Sequence, residues 1–225
     1  GRIVIELFET WVPVTSEHII ELADSGFYDG VFFHRVIDDF VTQSGDPECR
    51  TSGVYPATSP TCGNGGSGQN IPLEHDGNMS HIDGAIGMAR GIDPDSADSQ
   101  WYICDGPQHG LDPENRDDEG YATFGVVRDG MSHVRAIAAT PTTNAPLGPD
   151  LLSAPLGPDR PIHEATVVQM SMIGVVGVED APSLDSLATA DSTTWSGARF
   201  VSAGLAILAM AGAGLLAFRP KDSVD

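Results

Sequence analysis

The most informative stretch of the chain is residues 33–46, which read FHRVIDDFVTQSGD. Around it, brief apolar runs recur at residues 31–33, 85–89, 101–104 and 122–127, separated by loops rich in Gly, Pro and Asp. Short apolar runs bounded by these loop residues are typical of strands. Several such strands in one chain predict an all-β barrel or sandwich.

Two further segments have apolar residues at helical spacing. Residues 14–23 follow Pro13 and end before Gly26, a pattern that predicts a short amphipathic helix. A second helix is predicted where apolar residues recur, at Met131, Val134, Ile137 and Ala138. The run at residues 165–173 predicts the last strand, so the globular domain is expected to end near Gly174.

Three blocks of the sequence carry a resemblance to a known family. Residues 33–46 resemble the cyclophilin signature, in which Phe-His-Arg is followed by Phe, Gln and Gly-Asp. Residues 84–90 (GAIGMAR) and 93–103 (DPDSADSQWYI) resemble the second block of this family, particularly in its microbial members. Residues 121–125 (YATFG) resemble a third block.

The resemblance keeps its order from residue 1 to about residue 174, with insertions near residues 49–62 and 141–159. It implies a mainly β fold, a closed eight-stranded antiparallel barrel capped by two helices. Residues 3–8 (IVIELF) resemble the family's second strand, so the first strand is expected to be missing from this chain. Its neighbours in the barrel would then lack a pairing partner.

The resemblance also implies an activity, peptidyl-prolyl cis-trans isomerisation (rotamase activity, EC 5.2.1.8), which assists protein folding. Rotation about an X-Pro bond must break amide resonance, a barrier of about 18–20 kcal/mol, and needs no nucleophile, metal or cofactor. As the bond twists, the prolyl nitrogen becomes a hydrogen-bond acceptor, so a fixed cationic donor that reaches it only then lowers the barrier. The family motif assigns this role to Arg35.

The family pattern also carries over to substrate-binding positions. It implies a pocket for the proline ring at Phe40, Val41, Tyr102 and Leu111. It implies that Gln43 and Gln100 hold substrate carbonyls, and that the main chain at Ala89 and Arg90 pairs with an extended substrate. Three positions depart from the usual residue: Tyr102 replaces phenylalanine, Val41 replaces methionine, and Tyr121 stands where animal members have histidine.

The charge balance narrows the class of partner. The chain has 32 Asp and Glu against 11 Lys and Arg, a formal net charge of -21, which disfavours nucleic acid. The acidity fits either a partner-binding acidic patch or a surface kept hydrated in high salt. Because the acidic residues are spread along the chain, we favour a halophilic surface and a microbial, haloarchaeal-like family member.

The C-terminal part divides into three segments. Residues 175–196 are an acidic linker, 197–219 are predicted to be a transmembrane helix, and 220–225 form a short tail. The prediction of a membrane span rests on residues 200–218, which contain no charge or proline. The alternative to a membrane span is a buried helix of the globular domain. Arg219 and Lys221 beyond the span place the tail in the cytoplasm by the positive-inside rule. The prediction is a single-pass cell-membrane protein whose isomerase domain, residues 1–174, is extracytoplasmic.

The three cysteines fit no zinc pattern, and no cofactor or metal site is expected. Cys49 and Cys62 either close an insertion loop as a disulfide or remain free thiols, and the sequence leaves both open. Cys104 is expected to be a small buried residue. A disulfide and the glycosylation sequon at residues 78–80 would both agree with export.

Two functions of different class remain open at the level of sequence. The first is an isomerase acting on proline-containing proteins or peptides, attached to the membrane through its C-terminal helix. The second is a non-catalytic proline-peptide-binding or chaperone module on the same barrel. The presence of Arg35, Phe40 and Gln43 together favours the enzyme.

Overall fold

The computed structural model describes residues 1–50, 62–142, 159–161, 164–176, 200–202 and 205–210. Two α-helices are present in this part of the chain, α1 (Pro13–Asp24) and α2 (Met131–Ala138). The strands are β1 (Ile3–Leu7), β2 (Arg35–Ile37), β3 (Val41–Ser44), β4 (Ala85–Met88), β5 (Trp101–Cys104), β6 (Thr123–Asp129), β7 (Met170–Val176), β8 (Phe200–Ser202) and β9 (Leu205–Met210). Short 3-10 turns occur at Pro94–Ser96, His109–Leu111 and Pro113–Asn115.

The strands form one sheet in the order β2-β3-β5-β4-β6-β1-β9-β7-β8. Every pairing from β2 through to β1 is antiparallel, so the predicted mainly β fold with an antiparallel sheet and two helices is confirmed. The predicted closed eight-stranded barrel is not confirmed. The described residues contain nine strands, and the two outermost, β2 and β8, do not pair with each other. Two pairings of this sheet, β1 with β9 and β7 with β9, are parallel.

The transmembrane helix predicted over residues 197–219 is not confirmed. The described residues of this run are β8 and β9, and its other residues lie outside the described parts. The outer edge of β1 would by itself present unpaired backbone groups. β9 supplies them with partners along Ile3–Leu7. Neither helix of the described chain has the length and apolar character that a membrane span requires.

Alternate residues of β3, β4 and β5 face opposite sides of the sheet. On one side, Ile86, Ile103 and Trp101 pack into the main core. On the other side, Ala85 and Cys104 belong to a second, smaller apolar cluster. Both faces of these central strands are therefore covered, which explains why the residues of β4 and β5 are uniformly buried.

The helices begin where local chemistry favours it. Pro13 occupies the first turn of α1, where its missing N–H costs no hydrogen bond. The Glu74 carboxylate accepts hydrogen bonds from the Thr15 N–H and hydroxyl at 2.7 and 2.9 Å, which satisfies the free amides of that turn. α2 follows Gly130, whose φ of 87° only glycine adopts easily. Both helices predicted from sequence are confirmed.

Candidate active site

One cross-strand register brings the predicted catalytic residue beside the predicted pocket. Arg35 on β2 pairs with Gln43 on β3, Gln43 pairs with Tyr102 on β5, and Tyr102 pairs with Gly87 on β4. Directly paired residues project from the same face of a sheet. Arg35, Gln43 and Tyr102 therefore stand side by side on the face opposite the main core.

The polar half of the site is a chain of hydrogen bonds. The Arg35 guanidinium donates from Nη1 to Gln43 Oε1 at 3.4 Å, and Gln43 Nε2 donates to Gln100 Oε1 at 2.8 Å. Gln100 Nε2 donates in turn to the carbonyl oxygens of Gly65 at 2.8 Å and Gly63 at 3.2 Å. The Arg35 side chain is still 40% exposed, so its remaining donors can reach a ligand.

The apolar half of the site is a single cluster. Buried Val41, Ala85, Tyr102 and Cys104 form its base. Four partly buried apolar residues pack against this base: Phe40, Ala89, Leu111 and Tyr121. The structure thus brings together all four residues predicted to hold the proline ring, with Ala89 and Tyr121 beside them.

A polar cleft of about 420 Å³ adjoins this cluster. It is lined by predicted site residues, namely Gln43, Ala89, Arg90 and Gln100, together with the loops around Gly65 and Asp98. The Ala89 N–H is already used, since it donates to the Gln100 carbonyl at 2.9 Å. Pairing of a substrate with this stretch would have to use its other main-chain groups.

Arg90 contributes through its side chain, which the sequence did not predict. Its guanidinium is only 2% exposed and donates to the carbonyl oxygens of Gly120 at 2.7 and 2.9 Å and of Asp118 at 2.5 Å. It also lies over the Tyr121 ring at 4.7 Å, and Arg116 lies 5.1 Å from the same ring. Arg90 therefore holds residues 118–121, the rim of the pocket, in place by hydrogen bonds and a cation–π contact.

A disulfide joins Cys49 to Cys62, the first of the two alternatives that the sequence left open. The buried Asp46 carboxylate accepts hydrogen bonds from the amides of Gly63 at 2.6 Å and Gly65 at 2.8 Å. These are the residues whose carbonyls hold Gln100. The disulfide and Asp46 therefore fix the loop against which the polar chain of the site rests; residues 51–61 lie outside the described parts.

Asp159 and Arg160 form a second support that the sequence did not predict. Arg160 donates to the Cys62 carbonyl at 3.0 Å, and the Asp159 carbonyl accepts from Val36 N–H at 2.8 Å. Asp159 Oδ2 then lies 3.7 Å from Arg35 Nε. Asp159 is the last residue of a proline-rich repeat, in which residues 145–150 (APLGPD) recur at 154–159, and this repeat indicated only a surface loop.

Three ionisable side chains around the pocket are uncharged at pH 7. Burial, aided by the charge of Arg160, lowers the pKa of His34 to about 4, so its ring is neutral at pH 7. Burial raises the pKa of the Cys104 thiol and of the Tyr102 phenol, so both keep their protons. The arrangement offers a fixed cation beside an apolar pocket, with neither a thiolate nucleophile nor a charged histidine.

One acidic cluster has the composition of a metal site. Carboxylate oxygens of Asp38, Asp39 and Asp105 lie within 4.8 Å of one another, and two of these three residues are exposed. Arg135 Nε lies 3.8 Å from Asp105 and already supplies a positive charge. These groups stand apart from the chain of hydrogen bonds that begins at Arg35.

Comparison with known proteins agrees with this geometry. Residues 1–167 match the family model described as cyclophilin type peptidyl-prolyl cis-trans isomerase/CLD. The chain belongs to the cyclophilin family. A peptidyl-prolyl cis-trans isomerase of Acinetobacter baylyi is 34% identical to it over 143 residues, covering 64% of this chain and 70% of that protein. A peptidyl-prolyl cis-trans isomerase of Dickeya dadantii is 33% identical over 144 residues, with coverage of 64% and 70%.

Solved structures show the same fold. The crystal structure of a Cryptosporidium parvum cyclophilin superimposes on this chain with a TM-score of 0.58 at 22% identity, covering 74% of this chain and 88% of that one. The same parasite protein in the presence of the dipeptide Ala-Pro gives a TM-score of 0.56 at 23% identity, with coverage of 72% and 86%. The family model and the two bacterial relatives, and not these structures, show that this cyclophilin is an enzyme, a peptidyl-prolyl cis-trans isomerase.

Proposed function

We propose that Arg35 is the catalytic residue of this isomerase and that the apolar cluster beside it holds the substrate proline. The observation that carries the proposal is the register that sets Arg35, Gln43 and Tyr102 in one line across β2, β3 and β5. A guanidinium placed at the mouth of a proline pocket is positioned for the prolyl nitrogen of the bound residue.

The chemistry follows from what changes during the twist. In the planar amide, the nitrogen lone pair is delocalised and accepts almost no hydrogen bond. At the twisted geometry the lone pair is localised, so a donor from Arg35 becomes stronger in the transition state than in the ground state. Gln43 and Asp159 hold the guanidinium before the substrate arrives, which limits the reorganisation needed during the reaction.

The pocket supplies binding and orientation. A proline ring is apolar and has no N–H, so Phe40, Val41, Tyr102 and Leu111 can enclose it without leaving a donor unpaired. We assign a substrate carbonyl to the second N–H of Gln43, and the extended chain on the amino side of the proline to the main chain at Ala89 and Arg90, in the polar cleft. Both N–H groups of Gln100 already donate to the carbonyls of Gly63 and Gly65, so we assign Gln100 the role of holding Gln43 in place. No cofactor takes part in this scheme.

The test compares three proteins on one X-Pro peptide: wild type, Arg35→Ala and Arg135→Ala. Arg135 is a matched control because its side chain is 55% exposed and its nearest partner, Asp83 at 2.6 Å, is itself exposed, so this ion pair has small energetic weight. Arg35→Ala should lower the isomerisation rate constant by about 10²–10³, while Arg135→Ala stays near wild type. Equal rates above background for all three would refute the role of Arg35, and near-background rates for all three would favour a binding module.

We further propose that residues 197–219 anchor the isomerase in the cell membrane, with the globular domain, residues 1–174, outside the cytoplasm. The uncharged run at residues 200–218 supports this, as does Cys49–Cys62, since disulfides persist in oxidising compartments. The competing state is the strand pairing of β9 with β1. Alkaline carbonate extraction of cell membranes should leave the full chain in the pellet; its release into the supernatant would refute the anchor.

We also propose that the net charge of -21 adapts the protein to high salt. Screening weakens the repulsion between like charges, so the melting temperature should rise between 0.1 and about 2 M KCl. A matched titration with a neutral osmolyte controls for general exclusion effects. A melting temperature that is flat in KCl would refute a halophilic surface.

A further inference from the structure

A buried polar network lies directly beneath the proposed proline pocket. Tyr102 Oη is 2.8 Å from His81 Nε2, and His81 Nδ1 is 2.6 Å from Asp112 Oδ1. The side chains of His81 and Asp112 are 0% and 2% exposed. Such a buried network has to be fully satisfied, because an unpaired polar group there is costly.

The hydrogen bonds fix which atom carries each proton. Asp112 accepts from the His81 backbone N–H at 2.8 Å and from the Ser80 hydroxyl at 2.5 Å, as expected of a carboxylate. His81 Nδ1 must then carry a proton toward Asp112, which leaves Nε2 with a lone pair. Tyr102 consequently donates its hydroxyl proton to His81. Burial lowers the pKa of His81, which keeps this ring neutral.

The Tyr102 ring is also positioned by its packing against Gly87 of β4. A Cβ at Gly87 would lie 2.3 Å from Tyr102 Oη and 2.4 Å from Cζ, so the phenol occupies the space that a side chain at residue 87 would need. The phenol is therefore held at its tip by His81 and accommodated along its edge by the missing side chain. The Tyr102 ring also stacks on the His81 ring at 5.9 Å.

The network connects two parts of the pocket. Tyr102 belongs to the base of the apolar cluster, and Leu111, which packs against it, immediately precedes Asp112. The Leu111 carbonyl accepts from the Tyr121 N–H at 3.1 Å, so the same backbone segment also supports the rim. Movement of Asp112 would disturb the base, the wall and the rim together.

We infer that His81, itself held by Asp112, is a positioning residue that fixes the Tyr102 ring over Gly87 and so sets the depth of the proline pocket. This inference rests on the proposed function for the identity of the pocket. His81 touches no reacting atom; it acts on substrate affinity through Tyr102. If Nε2 is removed, the Tyr102 hydroxyl loses its buried acceptor, and the ring turns into the space that the proline would occupy.

Two amide variants separate the halves of the network. His81→Gln places an amide oxygen near the position of Nε2 and preserves an acceptor for Tyr102. His81→Asn reaches only the position of Nδ1 and preserves a donor for Asp112. The two changes are equally polar, so a role confined to fold stability predicts similar behaviour from both.

The measurements are kcat and KM for an X-Pro peptide and its Kd by titration, on folded protein checked by tryptophan fluorescence. His81→Asn should raise KM and Kd about tenfold with kcat nearly unchanged, and His81→Gln should raise them much less. Tyr102→Phe should raise Kd, and adding His81→Asn to it should change little more, because the hydroxyl is already gone.

Equal effects of His81→Asn and His81→Gln on Kd, or multiplicative effects of His81→Asn and Tyr102→Phe, would overturn the inference. Failure of the proposed function is a separate result: it would appear as full activity of Arg35→Ala. Kd is measured without turnover, so the Kd values of the two His81 variants test the inference whether or not Arg35→Ala is active.

Discussion

Replacing both Cys49 and Cys62 with serine removes the disulfide behind the polar half of the site. The two cysteines are 13 residues apart, so the bond closes a loop of about 14 residues. Loop-closure entropy for that length corresponds to about 3 kcal/mol at 25 °C. We expect the free energy of unfolding to fall by about this amount in the double variant.

Denaturant titrations followed by tryptophan fluorescence measure the change. Reductant should lower the unfolding free energy of the wild type to that of the double variant and leave the double variant unaffected. Isomerase activity should fall as well, since Gly63 and Gly65 support Gln100. A loss of stability below about 1 kcal/mol would refute the constraint, as would a reductant effect on the double variant.

Three further predictions concern single residues. Arg90→Ala removes charged hydrogen bonds to the rim and should raise KM about tenfold with kcat unchanged, measured by progress curves; an unchanged KM would contradict this. His34 has a folded pKa of about 4 against about 6.5 unfolded. The unfolded state therefore binds the extra proton, and stability should fall by about 3 kcal/mol between pH 6.5 and 4; His34→Gln should flatten that pH profile, and an unchanged slope would refute the assignment. Gly87→Ala forces a Cβ against Tyr102 and should cost about 1–3 kcal/mol in unfolding free energy, whereas no loss would show that the ring is free to move.

Most of the pocket could be predicted from sequence because three of its four residues lie within contiguous motif blocks; Leu111 lies between the second and third blocks. Phe40 and Val41 are in the first block and Tyr102 is in the second. Strand pairing then aligns the blocks, and the alternation of side chains places them on one face. The strand pattern predicted an all-β fold, and the family resemblance implied its antiparallel pairing. The pattern could not tell which residues of a doubly covered strand face the pocket.

The supporting residues were missed because nothing local marks them. His81 and Asp112 are 31 positions apart and meet only after the strands pair. Asp159 ends a loop repeat whose composition indicated nothing about Arg35. The helix over residues 197–219 stays a prediction, made from an uncharged apolar run that follows an acidic linker. Such a pattern carries no information about an open strand edge such as that of β1, with which β9 pairs.

The most direct measurement separates the binding of an X-Pro peptide from its isomerisation in Arg35→Ala. Peptide titration gives Kd, and NMR exchange at saturating enzyme gives the rate of cis-trans interconversion on the protein. If Arg35 acts on the twisted amide, Kd should stay within about threefold of wild type while the bound interconversion rate falls by about 10²–10³. A bound rate within threefold of wild type, or a loss confined to Kd, would contradict the assignment of Arg35 as the catalytic residue.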